Sequence, residues 1–171
     1  MFKSGEYLLR ILEKFELEWA RELHNDPEVL TMLTDASFIN ETQQIKWYES
    51  LCTSTKSKRL VIEYNGEKIG LVRLDDIDQV NQSICVGLDI AKVYRGQGHG
   101  KKSFKVLLEY VFHELNMNRA WLLVAEFNER AYKLYKSLGF IEEGRQRERL
   151  YRFGRHYDYI MMSILKKEYK R

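Results

Sequence analysis

A short glycine-rich stretch in the middle of the chain has the residue types of an anion-binding loop. Residues 94–102 read YRGQGHGKK, with glycine at positions 96, 98 and 100 and two lysines after them. The stretch follows an apolar segment that predicts a strand (83–91) and precedes a run with helical periodicity. A helix N-terminus presents unpaired backbone N–H groups, and glycine lets that backbone approach a ligand closely. The stretch therefore predicts a site for a phosphate-bearing ligand.

The spacing of these glycines excludes two common phosphate-binding loops. The pattern GxxxxGK[ST] fails because Lys101 is followed by Lys102 and because the position five before Gly100 is Arg95. The pattern GxGxxG fails because no glycine stands at its third position. The hexapeptide Arg95-Gly96-Gln97-Gly98-His99-Gly100 does fit the pattern [Q/R]-x-x-G-x-[G/A]. A second motif follows the next predicted strand and reads Asn128-x-x-Ala131-x-x-x-Tyr135-x-x-x-Gly139-Phe140.

These two motifs, in this order and on these elements, resemble the signatures of the GNAT N-acetyltransferase superfamily. The resemblance covers nearly the whole chain and implies an acetyl-CoA-dependent N-acetyltransferase with an α/β, single-domain GNAT fold. That fold is a mixed, twisted sheet of six to seven strands flanked by about four helices, in which strands 83–91 and 119–126 splay apart to hold CoA. It implies one domain over 1–171, with substrate-side elements in 1–58, the acetyl-CoA-binding core in 59–138 and C-terminal strands in 139–171.

The family's pattern assigns acetyl-CoA binding to both motifs. Backbone N–H groups from Gln97 to Lys101 are expected to bind the pyrophosphate, and Arg95 and Lys101 are expected to meet phosphates. The alternative for these two side chains is solvated surface charge. Asn128 is expected to contact CoA, or to cap the next helix only. The expected cofactor-binding residues are Leu88, Ile90, Arg95, Gln97, Gly98, His99, Gly100, Lys101, Asn128 and Tyr135, and no metal site is expected.

The same resemblance implies direct attack of an amine on the thioester in a ternary complex. Tyr135 is expected to protonate the departing CoA sulfur as a general acid, although its apolar helical stripe also suits a core tyrosine. The base is left open, because the positions where the family carries glutamate hold Cys85 and Leu123. Asp89, on the same strand face as Cys85, and Glu126, at the end of the next strand, are the two candidates.

The acceptor is indicated only by what the N-terminal third of the chain resembles. Residues 24–51 are similar to the RimJ/RimL-like branch, and especially to N-acetyltransferases of nucleotide-linked amino sugars in the pseudaminic acid pathway. An amino-sugar nucleotide is therefore the expected acceptor. Spermidine is an alternative because the C-terminal half resembles spermidine acetyltransferases. A polyamine site should be acidic, and the only carboxylates expected for it are those at 75–78, Glu41 and Glu49. A ribosomal-protein N-terminus and a non-catalytic acyl-CoA-binding module are the remaining alternatives.

Composition limits the partners. The chain has 171 residues, of which 44% are hydrophobic and 31% charged, and a net charge of +3, which is mild for a nucleic-acid-binding protein. No apolar run approaches the roughly 20 residues of a membrane span, and the first ten residues lack the apolar core of a signal peptide. Cys52 and Cys85 stand alone, which favours a reducing cytoplasm. We expect a small-molecule amine as partner, with no nucleic acid and no membrane.

Periodicity and turn signals place the remaining elements. They predict a strand at 6–12, helices at 16–24 and 40–52 with a short one from Asp26-Pro27, a hairpin around Asn65-Gly66, and strands at 140–152 and 155–166. The last two strands form a hairpin rich in aromatic residues. This hairpin suits either a homodimer or a covered sheet edge.

Overall fold

The computed structural model describes residues 1–170, in which one mixed sheet packs with helices on both of its faces. The strands are β1 (Phe2–Ser4), β2 (Tyr7–Ile11), β3 (Lys58–Tyr64), β4 (Glu67–Asp78), β5 (Ser83–Ile90), β6 (Arg119–Ala125), β7 (Ile141–Arg152) and β8 (Arg155–Leu165). The helices are α1 (Leu17–Asn25), α2 (Pro27–Leu30), α3 (Glu41–Thr53), α4 (His99–Glu109) and α5 (Glu129–Ser137). Arg171, the last residue of the predicted single domain, lies outside the described residues.

The predicted α/β class is confirmed, and the predicted strand count was slightly low. Eight strands follow the order β1-β2-β3-β4-β5-β6-β8-β7. The strand missing from the prediction is β1, which at three residues is too short to show an alternating pattern. The helix expected from residue 16 begins one residue later, because Lys14–Glu16 form a separate 3-10 turn.

The parallel pair at the centre of the sheet separates partway along. β5 and β6 pair only through Ser83–Arg119, Ile84–Ala120 and Cys85–Trp121. Beyond Cys85, β5 continues to Ile90, and beyond Trp121, β6 continues to Ala125, with no further pairing between them. The predicted splay is therefore confirmed. Backbone groups on the inner edges of both strands lack a ladder partner from this point onward.

Alternation along β4 and β5 sends their side chains into two layers. Val72 and Leu74 are fully buried in the main core, with the apolar face of α4 (Phe104, Leu107 and Leu108). These three residues have the i, i+3, i+4 spacing that predicts one apolar face on a helix. Residues of the opposite face lie towards α1 and α3, and they include Leu71, which packs in a second core cluster with Leu23 and Leu33. Arg73 and Asp89, which are discussed below, belong to this second face, because Asp89 is the register partner of Leu71 and Arg73 lies two residues further along β4.

One buried carboxylate holds the N-terminal elements to the sheet. Glu16, whose side chain is 1% exposed, accepts two hydrogen bonds of 2.8 Å from Arg10 on β2. Lys68 on β4 lies 3.5 Å away. The bonds from Arg10 outweigh the cost of burial and lower the pKa of Glu16 to about 2. A pKa this far below the ordinary value means that the ionised form stabilises the fold.

Glu16 is expected to control acid stability. Because its folded pKa is depressed, its contribution is complete above the ordinary value of 4.5 and is lost as the pH falls towards about 2. The shift corresponds to about 3 kcal/mol of unfolding free energy. Glu16→Gln is expected to lower stability by about this amount at pH 7 and to flatten its dependence on pH below 5, measured by urea unfolding.

Glu18→Gln is the matched control, because it removes the same charge from an exposed pair with Arg21. This variant is expected to change the unfolding free energy by less than about 1 kcal/mol. Equal losses in the two variants would contradict the assignment to Glu16.

Candidate active site

A cleft of about 780 Å³ opens where β5 and β6 separate. The ends of these two strands, the glycine loop and α5 form its walls. The residues expected to bind cofactor that line it are Leu88, Ile90, Arg95, Gly98, Gly100, Lys101, Asn128 and Tyr135. The structure therefore brings eight of the ten expected residues to one cleft, while Gln97 and His99 do not line it.

The glycine loop ends in a helix N-terminus with free donors. Gly96 and Gly98 have φ of 80° and 84°, in the left-handed region that favours glycine. Gly98 is the N-cap of α4 and provides no side-chain cap. The first intrahelical bond runs from the amide of Lys102 to Gly98 O at 3.3 Å, so the amides of residues 99–101 have no carbonyl one turn earlier. Such an array suits an anion.

Gly100 needs a different explanation from the other two glycines, because its φ is not in the left-handed region. A Cβ at this position would meet only Ile90 Cγ1, at the ordinary contact distance of 3.9 Å. The protein itself therefore leaves room for a side chain, and glycine within a helix costs stability relative to alanine. A ligand that approaches the backbone of the first helical turn accounts for this glycine. The loop therefore fits the pyrophosphate of CoA.

The structure gives Arg95 a different role from the expected phosphate contact. Its Nε donates to Ile90 O at 2.7 Å, and its terminal nitrogens donate to Asp26 and Glu28 at 2.8 Å each. Both carboxylates have pKa values below their ordinary range. Burial raises the pKa of Asp26, but hydrogen bonds from the Glu28 amide and from Arg95 lower it further than burial raises it. The pKa of Glu28 is lowered by hydrogen bonds from Lys92 and Arg95. Arg95 therefore joins α2 to the end of β5, with its donors already engaged.

The side chains of His99 and Gln97 also serve the loop rather than the cleft. His99 is 8% exposed, and its Nδ1 lies 2.8 Å from the hydroxyl of Tyr7 on β2. Its ring packs edge-on against Tyr64 and Tyr94. Gln97 donates to Val93 O at 2.8 Å within the same loop. Only the backbone amides of these two residues remain available to a ligand, which is the use expected for them.

Asn128 begins α5 beside the cleft. Its side-chain oxygen accepts from the amide of Ala131 at 3.1 Å, so the capping role is observed. Arg130, within the same motif, is exposed and lines the cleft, and it is not among the residues expected from the sequence. Its position two residues after Asn128, in a motif expected to bind CoA, could have marked it as a phosphate contact. Lys101 and Arg130 give the cleft two exposed positive charges for phosphates.

Tyr135 lies on the cleft side of α5, between Phe104 and Phe140 at ring distances of 5.2 and 5.8 Å. Within residues 1–170 its hydroxyl forms no hydrogen bond. Burial raises the pKa of Tyr135 to about 12, with Arg73 opposing the rise and Asp89 adding to it. The hydroxyl therefore keeps its proton at neutral pH and is a donor to any group placed beside it.

The two base candidates lie in different surroundings. Asp89 lines the cleft and its carboxylate is 3.2 Å from Arg73 Nε. Glu126 does not line it: its carboxylate accepts from the backbone amide of Asp158 at 3.1 Å, beyond the end of β6. The structure therefore brings Asp89, and not Glu126, to Tyr135. Cys85 is no substitute, because burial, with Asp75 and Asp76, raises the pKa of its thiol to about 12.

A second cavity of about 350 Å³ lies on the other face of the sheet, beneath α1 and α3. Its lining includes Leu23, His24, Leu33, Asp35, Gln44, Trp47, Arg59, Leu71, Arg73 and Asp89. Arg73 and Asp89 line both spaces, so the cleft and the cavity meet at this pair. Neither Arg73 nor Gln44 was selected from the sequence.

The described residues contain neither a cluster of metal ligands nor a membrane-spanning helix. In the described part of the chain, no cluster of three or more His, Cys, Asp or Glu side chains is arranged to hold a metal ion. No helix of residues 1–170 is both long and apolar enough to cross a bilayer.

Comparison with known proteins identifies relatives over most of the chain. A family model described as the acetyltransferase (GNAT) family matches residues 12–140. A spermidine N(1)-acetyltransferase of Escherichia coli is 29% identical over 161 residues, which are 94% of this chain and 87% of that protein. A putative ribosomal N-acetyltransferase, YdaF of Bacillus subtilis, is 36% identical over 107 residues, which are 63% of this chain and 58% of that protein.

Solved structures agree with the sequence comparison. A crystal structure of spermidine N-acetyltransferase from Vibrio cholerae, in complex with CoA and spermine, superposes with a TM-score of 0.92. Its sequence is 28% identical, and the match covers 97% of this chain and 99% of that one. Another structure of the same enzyme is described as dodecameric (TM-score 0.83, 29% identity, 96% of each chain). None of these relatives is an acetyltransferase of an amino-sugar nucleotide, which is the branch that the N-terminal sequence led us to expect. Homodimer formation stays a prediction.

Gly100→Ala is expected to separate stability from cofactor binding. The added methyl group fits the protein, so the unfolding free energy is expected to rise by about 0.5–1 kcal/mol. The same group lies where the pyrophosphate approaches, so KM for acetyl-CoA is expected to rise about tenfold. Urea unfolding and initial rates measure the two effects. Gly144→Ala is the control. Gly144 lines neither the cleft nor the second cavity, and a Cβ there would meet no atom within 4 Å, so KM is expected to stay unchanged.

Tyr135→Phe is expected to lower kcat at least about tenfold while KM for acetyl-CoA stays the same. The change removes only the hydroxyl and keeps the ring against Phe104. Steady-state kinetics with varied acetyl-CoA separate the two constants. Tyr132→Phe on the same helix is the control. The hydroxyl of Tyr132 donates to Glu142 at 3.0 Å, and Tyr132 does not line the cleft. An unchanged kcat in Tyr135→Phe would remove this hydroxyl from the chemistry.

Proposed function

Because the chain belongs to the acetyltransferase (GNAT) family, we propose that it acetylates a primary amine of a polyamine such as spermidine. The chain is an acetyl-CoA-dependent N-acetyltransferase, and the proposal concerns its acceptor. One observation carries it: the cofactor cleft and the second cavity meet at Arg73 and Asp89. Two spaces that open on one point suit two substrates held at the same time.

The cleft fits the donor and the cavity fits the acceptor. The helix N-terminus of α4 provides amides for the pyrophosphate, and the unpaired edges of β5 and β6 provide backbone partners for the pantetheine amides. The acetyl group then lies near Tyr135 and Asp89. An amine in the second cavity reaches the same point from the opposite face of the sheet. Direct transfer between the two bound substrates follows from this arrangement.

The proposed chemistry uses the chain's two titratable groups at this point. An amine with a pKa near ~10 arrives as ammonium, and Asp89 accepts its first proton. The nitrogen lone pair then forms the C–N bond with the thioester carbon, and the C–S electron pair moves to sulfur. Tyr135 donates its proton to that sulfur and regains one from the amide nitrogen as the positive charge there is lost. The products are the acetamide and CoA thiol.

The cavity has features that suit a flexible polyamine. Leu23, Leu33 and Trp47 provide apolar surface for methylene segments. Asp35 is exposed at the cavity, and its pKa is lowered by hydrogen bonds from Ser37, so it is anionic at neutral pH. Gln44 is 3% exposed, and its carboxamide has no hydrogen-bond partner in residues 1–170, which leaves it for an acceptor amine.

The carboxylates expected from the sequence to bind a polyamine do not line the second cavity. Asp75 forms an ion pair with Arg59 at 2.9 Å, and neither Glu41 nor Glu49 lines the cavity. Asp35 and Asp89 are therefore the two carboxylates that an acceptor cation meets there. We infer that Asp35 holds the distal ammonium, while Asp89 receives the amine that reacts.

An amine panel tests the proposal through the release of CoA thiol. Spermidine and spermine are expected to be acetylated, whereas 4-amino-deoxysugar nucleotides and peptides with free N-termini are expected to be poor acceptors. Turnover of a sugar nucleotide alone would contradict the polyamine proposal and restore the acceptor expected from the N-terminal sequence.

Asp35→Asn is expected to raise KM for spermidine about fivefold with kcat unchanged, because the distal ammonium loses one carboxylate. A monoamine of similar length has no distal ammonium, so its KM is expected to stay the same. Asp76→Asn is the matched control, since Asp76 is exposed and lines neither space. An equal rise in KM for the monoamine would assign the effect to structure instead.

A further inference from the structure

We propose that Arg73 is a further catalytic residue, whose guanidinium stabilises the negative charge that develops on the CoA sulfur as the C–S bond breaks. The proposal rests on acetyl transfer at the junction of the two spaces, and it does not depend on which amine is the acceptor. Three observations support it: the position of Arg73, the space that Gly87 leaves for it and its unused donors.

Arg73 stands at the one place where both substrates meet. It lines the cofactor cleft and the second cavity, and its side chain is 34% exposed to them. Its charge reaches the hydroxyl of Tyr135, where it opposes the rise in pKa that burial causes. The guanidinium and the phenol therefore act on the same small region.

Gly87 provides the space that the guanidinium occupies. It is the register partner of Arg73 across β4 and β5. A Cβ at Gly87 would lie 3.0 Å from Arg73 Nη2 and 3.3 Å from Cζ and Nε. The φ of Gly87 is not in the left-handed region, so the backbone does not require glycine here. Glycine inside a strand marks a close approach, and in this strand the approaching group is Arg73.

The donors of Arg73 are only partly used by the protein. Its contacts with Asp89 are 3.2 Å from Nε to Oδ2 and 3.5 Å from Nη2 to Oδ1. The first of these is close enough for an ion pair, yet the buried Nε has no aligned hydrogen-bond acceptor in the described residues. Arg95, by contrast, donates to three oxygens at 2.7–2.8 Å. Arg73 therefore keeps donors for a group that arrives with the substrates.

Asp89 sets the time at which the charge of Arg73 becomes effective. In the resting state the carboxylate neutralises the guanidinium across 3.2 Å. When Asp89 accepts the proton of the incoming ammonium, it becomes neutral and the positive charge of Arg73 is no longer balanced. The next bond to break sends an electron pair to sulfur. The site thus presents an uncompensated cation when an anion forms, and Tyr135 then supplies the proton.

Arg59, the other arginine of the second cavity, lacks these properties. Its Nη1 donates to Asp75 at 2.9 Å and to Leu74 O at 3.2 Å, and its guanidinium lies over the ring of Trp47. It does not line the cofactor cleft. Its donors are used within the fold, so the inference concerns Arg73 alone.

Arg73→Ala tests the charge by chemical rescue. We expect kcat to fall about 10²–10³-fold with KM for acetyl-CoA within threefold of the unchanged protein. Guanidinium chloride at about 50 mM, far below unfolding concentrations, is expected to restore at least a tenth of the lost kcat. Urea at the same concentration has nearly the same shape without the charge and is expected to restore nothing. The unchanged protein in each solution is the control, and the assay uses the amine that it acetylates fastest.

Arg73→Lys and Gly87→Ala provide tests that keep a cation in place. Arg73→Lys is expected to retain at least tenfold more kcat than Arg73→Ala. Gly87→Ala displaces the guanidinium and is expected to lower kcat in the natural chain but to change little in the Arg73→Ala background.

Several results would overturn the proposal. They are a kcat of Arg73→Ala within threefold of the natural chain, equal rescue by urea and guanidinium, no advantage of lysine over alanine, or additive effects of the two substitutions. An absence of polyamine turnover would contradict the proposed acceptor, and these comparisons would still decide the role of Arg73.

Discussion

The end of pairing between β5 and β6 is the constraint on which the site depends. A sheet normally satisfies the backbone N–H and C=O groups of every inner strand, and burial of an unpaired group costs free energy. Here the ladder stops at Cys85 and Trp121, while both strands continue. The chain thereby leaves two polar edges facing each other across a cleft. A ligand with amide groups along its length can complete the interrupted sheet, which makes the cofactor part of the secondary structure while it is bound.

The surrounding elements hold this opening in a fixed shape. Arg95 connects the end of β5 to α2, and His99 connects the start of α4 to β2 through Tyr7. The glycine loop is thus fastened by side chains whose polar groups are bonded within the protein. Towards the cleft it presents backbone amides of the first helical turn, with the exposed side chain of Lys101 beside them. The same bonds join the glycine loop to the N-terminal elements, so the cleft and the cover of the second cavity belong to one framework.

The local parts of this architecture could be predicted from the sequence. The hairpin at Asn65-Gly66, the apolar face of α4 and the cap at Asn128 depend on a few neighbouring residues, and all three are present. The role of Arg95 could not be predicted, because its carboxylate partners lie 67 and 69 residues away in sequence. The pairing of Arg73 with Gly87 depends on strand register, and the union of two cavities depends on the whole sheet. The acceptor was expected from the resemblance of the N-terminal helices to one branch of the family. Such a resemblance predicts the fold better than the acceptor, because one fold can carry different sites.

The two cysteines differ in a way that has a practical use. Cys85 is shielded, and its pKa of about 12 keeps the thiol protonated and unreactive towards alkylating reagents near neutral pH. Cys52 is exposed near the end of α3, the helix that covers the second cavity. A maleimide dye would therefore label one position of the natural chain without any substitution. Its fluorescence would respond to any change around α3 when an amine binds, so a residue with no part in the chemistry becomes a built-in optical sensor.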